Sequence, residues 1–220
     1  SVLSRSFSYS DALPAGDRAF NYDLPAAPLM TVAAEFHPLP WVGLRGTFTT
    51  VVGLYTSTHD GNRYEGSAVA WTLGAQAQVQ LGPIEVGGRV QGGQQGFSLG
   101  IDKNRNADGP DVAYTFFEPA MTARFQIVPR LELSGSAGFR FITDGGELTS
   151  NVYLSRVNIG GLNADAALAY QIAENWEIQL SAGIQRYFAE AAPNEGTAIT
   201  RGGSVDIYRQ VGLGLAWRLN

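Results

Sequence analysis

Histidine beside aspartate occurs once in the 220 residues, at His59-Asp60, and it is the one adjacent pair that could work as a general base with its partner. A base of that kind needs a third group to orient it, and no second pair of aspartates is visible near it. Asp102, Asn104, Asn106 and Asp108 place oxygen-bearing side chains at i, i+2, i+4 and i+6, the spacing of calcium loops. That run lacks the glycine and the downstream glutamate of an EF-hand, and Lys103 and Arg105 dilute its charge, so a calcium ion there competes with a plain solvated turn. The remaining candidates are charges spread over many segments: Glu35, Arg45, Glu85, Arg89, Arg124, Glu132, Glu177 and Arg218, with Glu118, Arg140 and Asp165 as a second group. Their use depends on the elements that carry them.

Ser67 to Leu81 shows what those elements are. Val69, Trp71, Leu73, Ala75, Ala77, Val79 and Leu81 alternate with Ala68, Ala70, Thr72, Gly74, Gln76, Gln78 and Gln80, a strict period of two. Strands in soluble sheets are about 5–6 residues long, whereas an oblique bilayer crossing takes about 9–11, apolar toward lipid and polar toward a lumen. The same pattern recurs over 29–36, 41–55, 84–99, 112–128, 131–142, 157–172, 176–188 and 204–219. Ser1–Ser10 also alternates, and on this reading Leu3, Arg5, Phe7 and Tyr9 face lipid, with Arg5 snorkelling to the interface. Gly92–Gly96 loses the alternation and suggests a bulge, while Pro119 predicts a local ladder defect inside its strand. Ten strands joined alternately by short turns and long polar loops (11–27, 56–66, 100–111, 143–156, 189–203) predict a closed antiparallel up-and-down transmembrane barrel, one domain over residues 1–220. An even strand number puts both termini on the short-turn side. Phe36, Trp41, Tyr170, Trp176 and Trp217 would form one aromatic girdle; Trp71, Phe116, Phe117, Phe139, Phe141 and Phe188 would form the other.

Bulk composition agrees. A net charge of −5 gives no electrostatic case for nucleic acid, and with no cysteine there is neither a disulfide framework nor a thiolate metal site. No apolar run reaches about 18 residues, the length of a membrane-spanning helix. Residue 1 opens directly into the alternating S-V-L-S-R-S-F-S-Y-S, so an N-terminal export signal or periplasmic region is expected to have preceded it.

Strands such as V-G-L-R-G-T-F-T-T-V-V-G-L, the Pro-containing short turns and the long polar loops resemble the small outer-membrane β-barrel proteins of Gram-negative bacteria. The resemblance implies a bacterial outer-membrane location, periplasmic short turns and termini, and contact with outer-membrane lipid and lipopolysaccharide. It also implies an envelope protein as a partner. Members often end in an aromatic residue, whereas this chain ends Trp217-Arg218-Leu219-Asn220. Omptin-type proteases of this class use Asp–Asp and Asp–His pairs at the outer rim, which leaves His59-Asp60 as the one candidate for catalysis.

Counted upward from each short turn, Glu35, Glu85, Glu132 and Glu177 fall low in the lumen, with Arg45, Arg89 and Arg124 above them. Gln76, Gln78, Gln80, Gln126, Gln171 and Gln179 would fill the space between. Glu118, Arg140 and Asp165 share a greater height on three consecutive strands and predict a bridged triplet. Two functions remain open: a non-catalytic anchor or scaffold with a lumen plugged by these side chains, or a narrow porin-like channel with an Arg/Glu constriction. No cofactor is expected beyond the calcium considered for loop 100–111.

Overall fold

The computed structural model describes residues 1–12, 18–57, 63–99, 111–149, 157–191 and 201–217. Eleven strands run in order: β1 Val2–Ala12, β2 Arg18–Leu39, β3 Val42–Val51, β4 Leu54–Ser57, β5 Arg63–Leu81, β6 Ile84–Leu99, β7 Val112–Val128, β8 Leu131–Gly146, β9 Val157–Ala173, β10 Trp176–Ala191 and β11 Arg201–Trp217. Chain neighbours pair antiparallel except β3 and β4, which both pair with β5, and β1 pairs with β11, so the sheet closes on itself. β4 continues the path of β3 along β5 after a break at Val52-Gly53, where Gly53 takes a positive φ of 65° that favours glycine. Counted as wall strands, β3 and β4 are one, and the barrel has ten.

Alternation decides which side of each strand is wet. On β5, Val69, Trp71, Leu73, Val79 and Leu81 are exposed on the outer wall, while Gln76 is buried inside. Isolated exposed apolar side chains are ordinary, but three dozen large ones among the described residues, most of them in a continuous belt, need an apolar surrounding, and lipid is the one that fits a closed barrel. On β10 the belt runs from Trp176 to Ile184, a climb of about 20 Å for a tilted strand. Trp176 and Trp217 stack at its lower edge with centroids 6.3 Å apart.

The barrel continues well above this belt, and here the structure departs from the sequence reading. β1 lies almost wholly in the upper part, and Leu3, Arg5, Phe7 and Tyr9 are all buried inside. Its serines face outward, with Ser8 and Ser10 exposed, because the outer wall at that height meets water, not lipid. The alternation was real and the side assignment was inverted. For the same reason several expected loops are partly strand: β2 starts at Arg18, β5 at Arg63, β8 runs to Gly146 and β10 to Ala191. Above the belt the outer face is polar and the inner face mixes aromatic, aliphatic and charged side chains, so hydropathy no longer marks the lipid side.

Two further expectations fail. β6 keeps a constant register with both β5 and β7 through Gly92–Gly96, so there is no bulge. Alternation is lost there because Gln94 faces outward above the belt and Gly93 faces inward, where an added Cβ would lie 2.3 Å from the Trp71 carbonyl oxygen. Phe116 is not in the upper girdle but buried in the lumen; Phe117, on the outer face beside it, is half exposed. Pro119 does leave a gap: the β7–β8 ladder skips Glu118 and Pro119 between the Phe117–Phe141 and Ala120–Gly138 pairs. Phe139 and Phe188 cover Gly160, whose Cβ would meet their rings at 2.7–3.0 Å.

Candidate functional site

The lumen holds two storeys of polar side chains. The lower one is centred on Glu35 of β2. Its Oε1 accepts from Arg124 Nη2 at 2.9 Å and from Gln76 Nε2 at 2.7 Å. His37 Nε2 lies 3.1 Å from the same oxygen, and Arg45 Nη1 lies 3.8 Å from Oε2. Arg124 also reaches Glu85 at 3.6 Å. Glu35 and Arg124 stand on β2 and β7, so their contact spans the lumen. These side chains remain about a quarter to a third exposed (24% for Glu35, 31% for Arg124, 35% for Arg45), which makes the storey a wet vestibule.

The expected order of a carboxylate ring beneath a guanidinium ring does not hold. Arg124 interdigitates with Glu35 and Glu85, because Arg124 and Glu85 are direct cross-strand partners. Glu177 is buried and Glu132 partly buried. Gln80, Gln126 and Gln171 donate to the carbonyls of Gly82, Val128 and Glu174, so they close their own turns instead of filling the lumen. Arg218, His59-Asp60 and Asp102, Asn104, Asn106 and Asp108 lie outside the described residues.

Arg89 belongs to the upper storey. Its Nη2 lies 3.6 Å from Glu118 and 4.0 Å from Asp165, and donates to Ser136 Oγ at 3.1 Å. Glu118, fully buried, accepts from Arg140 Nε at 2.7 Å and from Asn163 Nδ2 at 3.1 Å. Glu118 and Arg140 therefore meet directly, whereas Asp165 joins them through Arg89 and through Ser136, which donates to it at 2.5 Å. Arg140 Nη1 also donates to Gln95 at 2.9 Å and to the Tyr187 hydroxyl.

Above this lies a cluster that sequence reasoning missed. Arg5 and Asp206 form a bidentate pair at 2.8 and 2.7 Å, with both side chains fully buried. The guanidinium sits 3.8 Å from the Phe97 centroid and 5.0 Å from that of Tyr208, favourable placements over aromatic faces. Tyr114 donates to Asp206 at 3.1 Å from the opposite wall and stacks on Tyr187 at 4.0 Å; Tyr187 in turn donates to Gln95 at 2.6 Å. Arg89 Nε and the Tyr208 hydroxyl meet no hydrogen-bond partner among the described residues, a cost that the layer carries. A signal for this cluster was present: Gln210 reads as inward, and stepping back by two gives Tyr208, Asp206 and Ser204. Arg5 gave no such signal, because one face of β1 is serine and the other mixes arginine with aromatics.

Chemically, these are opposed charges that satisfy one another. Among the described residues no group of three or more His, Asp or Glu side chains is arranged to hold a metal ion.

No family model matches the chain, and no curated protein does. Solved structures do. The outer membrane protease OmpT of Escherichia coli superposes with a TM-score of 0.58 at 10% identity, over 99% of this chain and 94% of that one. The NanC porin (TM-score 0.35, 8% identity, 100% of both chains) and the Pseudomonas putida toluene transporter TodX (0.31, 8%, 100% of this chain and 90% of that one) are more distant. The OmpT likeness shows a shared fold, the bacterial outer-membrane β-barrel, and at this identity nothing about chemistry.

Proposed function

We propose that this chain, an outer-membrane-type β-barrel by fold, serves as a plugged, non-catalytic anchor or scaffold in the bacterial outer membrane. Its short turns face the periplasm, and its long loops or a periplasmic partner carry the interaction. The observation that supports this reading is that side chains bridge the lumen wall to wall: Tyr114 on β7 to Asp206 on β11, and Tyr187 on β10 to Gln95 on β6. A conducting path needs sites that an ion can enter and leave, and a buried layer whose charges are engaged by one another does not favour either. Reconstituted in planar bilayers, the protein is expected to stay at the baseline of protein-free membranes. Steady unitary currents whose ion selectivity changes in Arg45→Gln or Arg124→Gln would overturn the proposal.

A second reading, the narrow channel, draws on the partial exposure of Glu35, Arg45 and Arg124. It requires the upper storey to open while the lower one acts as the constriction. A catalytic role has the OmpT fold behind it, and its one sequence candidate, His59-Asp60, lies outside the described residues. Loss of a peptidase activity in His59→Ala would establish it.

A further inference from the structure

The seam that closes the barrel is complete over only part of its height. β1 joins β11 to β2, and its lowest rung is Ser1, whose nitrogen donates to the Leu29 carbonyl at 3.1 Å while Leu29 N–H donates back at 2.8 Å. On the other side Val2 pairs with Val211, and Ser1 lies against Gly212. Below this level β2 continues to Leu39 and β11 to Trp217. Among the described residues these two edges pair neither with each other nor with a third strand. Strands that flank a missing neighbour stand two interstrand spacings apart, about 9.5 Å, so the wall carries a slot one strand wide.

Exposure marks the same slot. Thr31, Ala33 and Glu35 face the lumen and are exposed, whereas Thr122, Ser134 and Ser181, which face it from the complete wall, are partly covered. Glu35 is exposed as a residue although its side chain is only 24% exposed, so the main chain is what lies open. Ladder alternation from the Ser1–Leu29 rung turns the N–H and C=O groups of Thr31, Ala33 and Glu35 into the slot, and those of Leu213 and Leu215 from the other edge. Val32, Phe36, Leu213 and Leu215 on its rims belong to the exposed apolar belt. Unpaired main-chain groups are not sustained at hydrocarbon depth, so in a bilayer the slot requires an occupant.

We propose that the residues immediately preceding Ser1 in the full-length chain fill this slot as the lower half of β1, an inference that rests on the membrane placement proposed above. β2 and β11 both run toward the short turns there, so a strand antiparallel to both runs upward and reaches Ser1 in the chain's own direction. A strand from another molecule would meet Ser1 end-on and leave a break in the ladder at belt depth. From Met30 to Phe36 the ladder takes about seven residues, one per partner. The first, third, fifth and seventh before Ser1 stand beside Met30, Val32, Ala34 and Phe36, face lipid and are apolar. The second, fourth and sixth stand beside Thr31, Ala33 and Glu35, face the vestibule and are small or polar.

Disulfide mapping in the full-length protein, reconstituted in lipid vesicles, tests this, and these 220 residues contribute no cysteine of their own. A cysteine at the third residue before Ser1 is combined either with Val32→Cys, its partner on the outer face, or with Ala33→Cys, which points to the other face. The Val32 pair is expected to close an intramolecular disulfide at least about tenfold faster than the Ala33 pair, because only its Cβ atoms come within bonding range. A second outward pair, the first residue before Ser1 with Met30→Cys, should behave like the Val32 pair and covers the case in which one variant fails to fold. Equal rates for Val32 and Ala33, no disulfide in either outward pair, or a Val32 disulfide to a second copy or to another protein would each overturn the proposal. Conductance and lipid exposure are read by other measurements, so the strand, the plug and the membrane placement fail separately.

Discussion

The two lumen storeys are built from the same residue types and behave as opposites. Around Glu35 the carboxylates and guanidiniums keep a quarter to a third of their surface and meet through single contacts. Around Glu118 and Asp206 both carboxylates and the guanidiniums of Arg5, Arg89 and Arg140 are buried, bidentate or doubly bridged, and walled by Phe97, Phe116, Tyr114 and Tyr187, while Asp165, at the storey's lower margin, keeps 43% of its side chain exposed. Aromatic area makes the difference. Below, the space between charges is left to water, and each pair is worth little; above, rings displace water, so every charge must be matched or it destabilises the fold. Position follows the same division, since the dry storey runs from the upper part of the exposed apolar belt to above it and the wet one lies lower within it. On the membrane placement proposed above, lipid supports the wall around the vestibule and the projecting upper barrel is held from inside.

The largest effect is expected from removing one partner of the dry pair. Asp206→Ala leaves the Arg5 guanidinium buried without its carboxylate and the Tyr114 hydroxyl without its acceptor, at a cost of about 3–5 kcal/mol. Urea unfolding in lipid vesicles measures it. Arg5→Met combined with Asp206→Leu should recover most of that loss, because a well-packed apolar pair often replaces a buried ion pair without penalty. If the double variant is as unstable as the single one, the layer is held by charge and not by packing.

The outer wall provides the next test, because the comparison of storeys depends on where the belt ends. Leu180→Arg places a charge at mid-belt on β10 and should cost about 2–4 kcal/mol in the same assay. Ser8→Arg, on the exposed outer face of β1, should cost less than about 1 kcal/mol. Equal penalties at the two positions would mean that lipid reaches the serine row, and the inward placement of Arg5 would then lose its explanation.

That placement also marks how far the sequence could be read. Within the belt the alternation of β5, β7, β9 and β10 identified strand, facing and turn together, because lipid on one side and a polar lumen on the other give the two faces opposite hydropathy. Above the belt the outer face is polar and the inner face mixes rings, aliphatics and charges, so the contrast that marks the lipid side disappears. β1 was therefore recognised as a strand and turned the wrong way, and the tops of β2, β5, β8 and β10 were taken for loop. Glu118 and Arg140 were paired correctly from height alone, since they lie on adjacent strands. Arg89 was placed one storey too low because counting residues from a turn gives the height of a Cα, and a long arginine side chain can travel up or down from there. The Arg5–Asp206 pair joins the two ends of the chain across 201 residues, a relation that no local pattern carries.

A smaller effect is expected from steric support of the dry storey. Gly138 faces inward on β8, where an added Cβ would lie 2.8 Å from Ala120 Cβ and 3.0 Å from Glu118 Oε1. Gly138→Ala should therefore displace the Glu118 carboxylate from Arg140 and cost about 1–3 kcal/mol, as overpacking does. Gly46, whose Cβ would meet nothing closer than 3.8 Å, is the control and should tolerate alanine far better.

The smallest effect belongs to the vestibule. Arg124→Gln removes the cation that ties Glu35 to Glu85, yet all three side chains keep access to water and Glu35 retains Gln76, His37 and Arg45. Screened, partly exposed pairs contribute about 0–1 kcal/mol, so the unfolding midpoint should barely move. Removing the cation should nevertheless make the vestibule more attractive to cations, which a spin relaxation probe of either charge can detect at a label placed on Ala33, low on β2. If instead Arg124→Gln destabilises the barrel as much as Asp206→Ala, the lower storey is as dry as the upper one. The barrel would then be sealed along its whole length, and the contrast between its two halves would be one of position alone.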